Sequence, residues 1–246
     1  MRRLALLTAL VIVGARVDSL SGAEPIRWLP TVEEASSEAR KTDRPIMLDF
    51  WADWCAPCRV MEANVYSDAS VREAASRFVA VRIDFDKKPA LARKYDVIGL
   101  PTIVFTDSRG TELFRHAGAI GAKPLVELLR ALPHDVREFN RLSDVLARDK
   151  RDIDALAGMG KALRAAGLYL ASNLYYRRLL SEGKGRLQDG QRAAILEEMA
   201  GNALDLEDGT TAADIIRTCL KEYPSSPRTG TWMSQLARAR ALMDKR

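Results

Sequence analysis

Residues 46–51, Ile-Met-Leu-Asp-Phe-Trp, form an apolar run interrupted by one acid, the pattern of a strand buried on both faces in a parallel sheet. Phe78-Val-Ala-Val-Arg-Ile-Asp84 repeats it and predicts a second strand, with Ile26–Leu29 as a shorter candidate ahead of both. Thr102–Thr106 and Thr111–Arg115 flank Asp107-Ser-Arg-Gly110, a tight-turn sequence, and so predict a hairpin. Between these runs the polar spacing is helical. Thr31-Val-Glu-Glu34 is a capping box that should open a helix running to about Lys41. Pro57 fits the first turn of a helix continuing through Arg59–Asn64, because its missing N–H would have no partner there anyway. Pro89–Tyr95 and Pro124–Leu132 predict two more helices, giving the order β-α-β-α-β-β-α of a layered α/β domain.

Beyond Pro133 the β-branched runs and hairpin signals stop. Large and small residues instead recur in two series: Leu156, Met159, Gly160, Leu163, Ser172 and Tyr176, then, 40 residues later, Leu196, Met199, Ala200, Ala203, Ala212 and Ile216. The loop SEGKGRLQDG supplies the length beyond 34 residues. The spacing resembles the tetratricopeptide helix–turn–helix repeat in a degenerate form, without Trp at its first position; generic helical hairpins are the plainer alternative. Helices at about 135–148 and 230–243 would cap the array. The expected division is residues 1–23, 24–133 and 134–246.

The first of these segments changes the picture of the compartment. Arg2 and Arg3 precede an apolar run from Leu4 to Val13, and Ser21-Gly22-Ala23 places small residues at the −3 and −1 positions of a cleavage site. This predicts a secretory signal peptide cut after Ala23, with an uncleaved membrane anchor as the alternative. A spanning helix, however, needs ~20 apolar residues. The chain of 246 residues carries a formal charge of +5, of which three arginines and one aspartate in the first 23 residues supply +2. The rest is too nearly balanced to argue for nucleic acid. An exported chain meets an oxidising compartment, and with only Cys55, Cys58 and Cys219 it is no disulfide-stapled scaffold.

Cys55-Ala56-Pro57-Cys58 carries the candidate chemistry. Structural zinc wants four ligands, and one cysteine and two distant histidines are all that remain, so the ligand count argues against it. Covalent haem needs His directly after the second Cys, where Arg59 stands, and is excluded. A redox use fits better. Cys55 falls where a strand gives way to a helix, so the unpaired N–H groups and the dipole favour its thiolate. Cys58, one turn on, can reach back to resolve a mixed disulfide. Cys219 occupies a small-residue position on a helical face and reads as a buried structural thiol. His116 and His134 read as structural or solvated.

Asp-Phe-Trp-Ala-Asp-Trp-Cys-Ala-Pro-Cys-Arg at 49–59, followed by Gly-Leu-Pro-Thr at 99–102, resembles the thioredoxin superfamily from about Ile26 to Leu132. Within it, the stretches around both motifs are most similar to the C-terminal domain of DsbD-type thiol:disulfide interchange proteins. The resemblance implies a thioredoxin-like α/β domain, a mixed sheet flanked by helices, ahead of the all-α helical-hairpin array. It implies Cys55 as nucleophile, Cys58 as resolving thiol, Asp49 as the buried acid that handles the resolving proton, and Pro101 as a cis-proline. Neighbouring backbone groups would then pair with a client strand. Trp54 would shield Cys55 and Trp51 pack beneath the loop. Ala56, Pro57, Gly99, Leu100 and Thr102 would complete the substrate face. Two departures stand out: Ala56-Pro57 replaces Gly-Pro, and the lysine that accompanies the buried acid in thioredoxin falls at Ala80 on an ungapped count, with Arg82 a candidate substitute.

These readings converge on an exported, periplasmic thiol–disulfide oxidoreductase acting as a reductant or electron relay. Its partners would be protein thiol or disulfide clients, an upstream thiol electron donor, and a protein docked on the helical domain. No metal or organic cofactor is implied, since the cysteine pair is itself the redox group. The alternatives are a specialised reductase for cytochrome c maturation or disulfide isomerisation, and a partner-docking repeat scaffold with a secondary redox role.

Overall fold

A computed structural model describes residues 24–244; the expected signal peptide lies outside them. Five strands, β1 (Trp28–Leu29), β2 (Ile46–Trp51), β3 (Val79–Asp84), β4 (Thr102–Thr106) and β5 (Glu112–Ala117), form one sheet in the order β1-β3-β2-β4-β5. β3 runs parallel to β1 and β2, whereas β4 is antiparallel to both β2 and β5. β2 therefore sits in the centre, and its first five residues are buried, Asp49 included. This is why its sequence is apolar without alternation.

The helices of this half are α1 (Val32–Thr42), α2 (Ala56–Asn64), α3 (Ala69–Ala75), α4 (Pro89–Lys94) and α5 (Ala122–Ala131). The Thr31 hydroxyl accepts from the Glu34 N–H at 3.2 Å, the bond expected of the capping sequence. α3 had no counterpart in the sequence reading; Asp68 caps it through Ser70 and Val71. The Asp107–Gly110 turn forms as expected, with Gly110 at φ 79°, a left-handed conformation suited to glycine.

Beyond Pro133 the chain is helical: α6 (Arg137–Arg148), α7 (Ile153–Ala165), α8 (Tyr169–Glu182), α9 (Asp189–Asp205), α10 (Gly209–Glu222) and α11 (Thr229–Met243). α7 packs on α8, α8 on α9 and α9 on α10 in sequence, the arrangement of stacked hairpins, and α11 closes the end over α9 and α10. Close packing needs the small residues of the repeat: a Cβ at Gly160 would fall 2.4 Å from the Tyr176 ring. Cys219 is fully buried among Ala200, Ala212, Ile216 and Trp232, and burial pushes its thiol up to about 11.

The apolar core does not stop at Pro133. One cluster runs from Met47, Phe105 and Leu125 through Val136, Phe139 and Leu142 to Met159 and Tyr176. α6 is tied to the sheet half by polar contacts as well. The Val136 N–H donates to the Asp43 carbonyl at 2.9 Å, Asn140 Oδ1 accepts from the Ser108 N–H at 3.0 Å, and Ser143 Oγ donates to the buried Asp107.

Candidate functional site

The end of β2 delivers the cysteines. After Trp51 the chain turns, the Cys55 N–H donating to the Ala52 carbonyl at 3.1 Å, and Cys55 becomes the N-cap of α2. Its Sγ accepts from the Cys58 N–H at 3.2 Å and is bonded to Cys58 Sγ across 5.3 Å between the Cα atoms. The sulfur thus sits at the positive end of the helix, where the free N–H groups and dipole favour a thiolate once the bond is reduced. Pro57 lies in the first turn, and both cysteines are almost fully buried in a small cluster with Ala52, flanked by Trp51, Phe85 and Leu100.

The segment carrying Leu100 lies against this cluster, and the Leu100–Pro101 bond is cis. Thr102 Oγ1 donates to the Gly99 carbonyl at 2.8 Å, and the Pro101 carbonyl accepts from the Gly118 N–H at 2.8 Å. Among the described residues, no backbone hydrogen bond is made by Leu100. Ile98, two residues earlier, is fully exposed, and Trp54 on the cysteine side is 64% exposed. Trp54 is nevertheless oriented: its indole N–H donates to Asp86 at 2.8 Å. Asp86 itself is placed by a turn in which Asp84 accepts from the Asp86 and Lys87 N–H groups, each at 3.1 Å.

Behind the helix, Asp49 is 2% exposed, and its neighbour across the parallel register is Arg82. This settles which cation accompanies the acid. Ala80 is paired with Met47 inside the apolar cluster, and Arg82 Nε stands 3.4 Å from Asp49 Oδ2. The other end of the guanidinium reaches Glu62 of α2, four residues after Cys58 and so on the same helix face. Arg82 also stacks 4.3 Å from the Trp51 ring centre and 5.9 Å from Trp28. The compensation of Asp49 is incomplete. A 3.4 Å ion pair is long for a hydrogen bond, and neither Arg82 Nε nor the buried Tyr66 hydroxyl closes one of normal geometry. Burial therefore dominates and pushes the Asp49 carboxyl from 3.8 up to about 6, against the opposing pull of Arg82 and Tyr66.

The structure thus brings Cys55, Cys58, Trp54, Ala56, Pro57, Gly99, Leu100, Pro101 and Thr102 to one end of the sheet, with Asp49 beneath. Sequence reasoning passed over Glu62, Tyr66 and Asp86, and gave Arg82 only as a candidate substitute for the lysine that falls at Ala80. A register count between β2 and β3 would have found Arg82 opposite Asp49; nothing local marked Asp86. His116 and His134 lie elsewhere, on β5 and in the α5–α6 connection, where His134 Nε2 meets Arg77 at 3.3 Å.

Comparison with known proteins agrees with this geometry. Residues 27–108 match the family described as thioredoxin-like. The chain is 37% identical over 86 residues to the thiol:disulfide interchange protein DsbD of Pectobacterium atrosepticum, a match covering 33% of this chain and 15% of that protein. It therefore spans only a small part of that relative's length. A thioredoxin of Streptomyces clavuligerus is 32% identical over 103 residues, covering 42% of this chain and 90% of the relative. Among solved structures, the oxidised C-terminal domain of DsbD from Neisseria meningitidis is similar at 23% identity, over 42% of this chain and 97% of that one, with a TM-score of 0.38. With a cysteine pair of the thiol–disulfide oxidoreductase type at a helix start and a cis-proline segment beside it, the chain belongs to the thioredoxin-like family.

Proposed function

We propose that this protein is an exported thiol–disulfide oxidoreductase that exchanges disulfides with protein clients, working as a reductant or electron relay. The observation that carries the reading is the Cys55–Cys58 bond at the start of α2, beside a backbone segment whose Leu100 has no hydrogen bond within the described chain. In the reduced protein, the Cys55 thiolate attacks one sulfur of a client disulfide, forming a mixed disulfide and expelling a client thiolate. The free Leu100 backbone groups pair with the client strand, and Trp54 and Ile98 give it an apolar rim. Cys58 then loses its proton and attacks Cys55 Sγ, releasing the second client thiol and leaving the Cys55–Cys58 disulfide. Two electrons have passed to the client, and a dithiol donor restores them. Asp49, titrating at about 6 because it is buried, is the base that takes up the Cys58 proton, with Arg82 and Glu62 setting its charge balance.

The export half of the reading rests on the N-terminal pattern of residues 1–23. The helical hairpins α7–α8 and α9–α10, related by about 40 residues and packed through small side chains, support a tetratricopeptide-like array that docks a partner. Residues 24–133 and 134–246 would then be its two working parts.

A Cys58→Ser variant, unable to resolve, should accumulate mixed disulfides on Cys55, seen as thiol-sensitive adducts on a non-reducing gel. Wild type should catalyse reduction of a model protein disulfide by a small dithiol. If the variant traps nothing and the wild type does not turn over, the proposal fails. Mass spectrometry of the protein recovered from its host, starting at Glu24 or at Met1, tests cleavage.

A further inference from the structure

The end of the sheet remote from the cysteines carries a feature that the redox chemistry leaves unused. Because β4 runs antiparallel to β2 with Ile46 opposite Thr106, the β4–β5 turn and the last turn of α1 meet at the edge away from Cys55. Along β2 and the loop after it, that separation is ~20 Å. Two adjoining open cavities of about 590 Å³ each lie there, sharing Arg40 and Arg109 in their walls. One extends to Lys150 and Arg178 of the helical half, the other to Lys41 and Lys94. Six cations line the pair, and among the described residues Glu33 is the only carboxylate in either wall.

Some cations elsewhere on the surface have partners, as in Arg137–Asp135, Arg141–Glu138 and Arg217–Asp214, and others, such as Lys123 and Arg148, have none among the described residues. In the trough, Arg109 is paired with Asp144, Arg178 donates to the Lys150 carbonyl, and Lys94 lies over the Tyr95 ring. Arg40, Lys41 and the Lys150 ammonium have no partner among the described residues. The walls are firm. Asp107 pins the β4–β5 turn through the Arg109 and Thr111 N–H groups at 2.9 and 2.8 Å, and Ser143 of α6 holds that same aspartate. Repulsion among unpaired cations on fixed walls is relieved by an anion, and their spread over two connected cavities suits several carboxylates in a row better than one small ion.

We propose that this trough docks an extended acidic segment of a partner protein, holding it across both halves while the cysteine pair works at the opposite end of the sheet. A flat anionic bilayer fits less well, because the cations line a concave trough between α1, the β4–β5 turn and α8. The inference rests on the functional reading only in taking the partner to be a protein.

The test uses the full chain and a fluorescent Glu/Ser peptide of about twelve residues, which reaches ~40 Å extended, with its Gln/Ser counterpart as reference. Anisotropy at low ionic strength should show saturable binding of the Glu peptide alone. Arg40→Glu with Lys150→Glu should weaken it roughly tenfold or more, and the milder Arg40→Gln with Lys150→Gln should weaken it less. Arg217→Glu with Lys221→Glu, on α10, should leave it unchanged. A Cys55→Ser, Cys58→Ser protein should bind the peptide as wild type does, so loss of the redox reading and loss of this one are separable. The proposal is overturned if the Glu peptide does not bind, if the α10 variant weakens it equally, or if the trough variants affect only binding to phosphatidylglycerol vesicles.

Discussion

Asp49→Asn should make the protein more stable at neutral pH, though it removes the acid proposed to serve catalysis. The Asp49 carboxyl titrates at about 6 in the folded protein because burial opposes its charge, against 3.8 ordinarily. The folded state thus holds this proton more tightly than the unfolded chain does. The resulting stability is fully present below pH ~3.8 and is lost as pH rises through about 6. At 1.36 kcal/mol per pH unit the loss is ~3 kcal/mol, a large share of the 5–15 kcal/mol that typically holds a domain together. Asparagine keeps the shape and cannot ionise. Its advantage over wild type should be absent near pH 3.5 and reach ~2–3 kcal/mol by pH 7.5, less whatever Arg82 loses when its partner becomes neutral. Urea unfolding of the oxidised proteins at pH 3.5, 5, 6 and 7.5, with linear extrapolation, measures this directly. A difference independent of pH, or a wild type more stable than the variant at pH 7.5, would refute the argument that burial outweighs Arg82 at this site.

Arg82→Met removes the cation that pulls the Asp49 carboxyl down, so that carboxyl should titrate above about 6 in an NMR pH titration of labelled aspartate; an unchanged midpoint would show that Arg82 does not stabilise the carboxylate. Ser143→Ala leaves buried Asp107 short of one hydrogen bond and should cost ~1–3 kcal/mol in urea unfolding; no change would mean that this contact does not fasten α6. Gly160→Ala forces a methyl group against the Tyr176 ring and should destabilise by ~1–3 kcal/mol in the same assay; an unaffected midpoint would show that the α7–α8 contact is loose.

The strands were legible because burial on both faces writes itself as an unbroken apolar run. Thr102–Thr106 came out residue for residue, and Ile46–Trp51 as its sequence indicated. α3 was missed because seven residues, three of them alanine, carry little periodicity, and its cap, Asp68, falls within a polar stretch that also reads as a loop. The pairing of the cysteines, the burial of Asp49 and the cis bond at Pro101 were legible because they follow from local spacing and from a motif. Arg82, Glu62 and Asp86 were not, because their roles depend on strand register and on how α2 and the β3–α4 loop lie across the sheet. Counting from the motif put the missing lysine at Ala80, but pairing places Ala80 beside Met47 and Arg82 beside the acid. The seating of α6 was equally hidden, since Asp107, Asn140 and Ser143 look like ordinary turn and helix-surface residues until they meet.

The core that crosses Pro133 bears on how the chain can be cut. A fragment ending there would strip Val136, Phe139 and Leu142 from the cluster that holds Phe105 and Leu125, and would leave Asp107 without Ser143. Such a piece would retain both cysteines and yet expose a sticky apolar face, so a poor yield from it would say nothing about its chemistry. A cut after α6, near Asp149, would keep those contacts but would in turn part Leu142 and Leu146 from Leu156 and Met159 of the same cluster. With α6 shared in this way, the helical array cannot swing freely on a tether. It is an arm fixed to the sheet half through the shared core and the Asp107, Asn140 and Ser143 contacts.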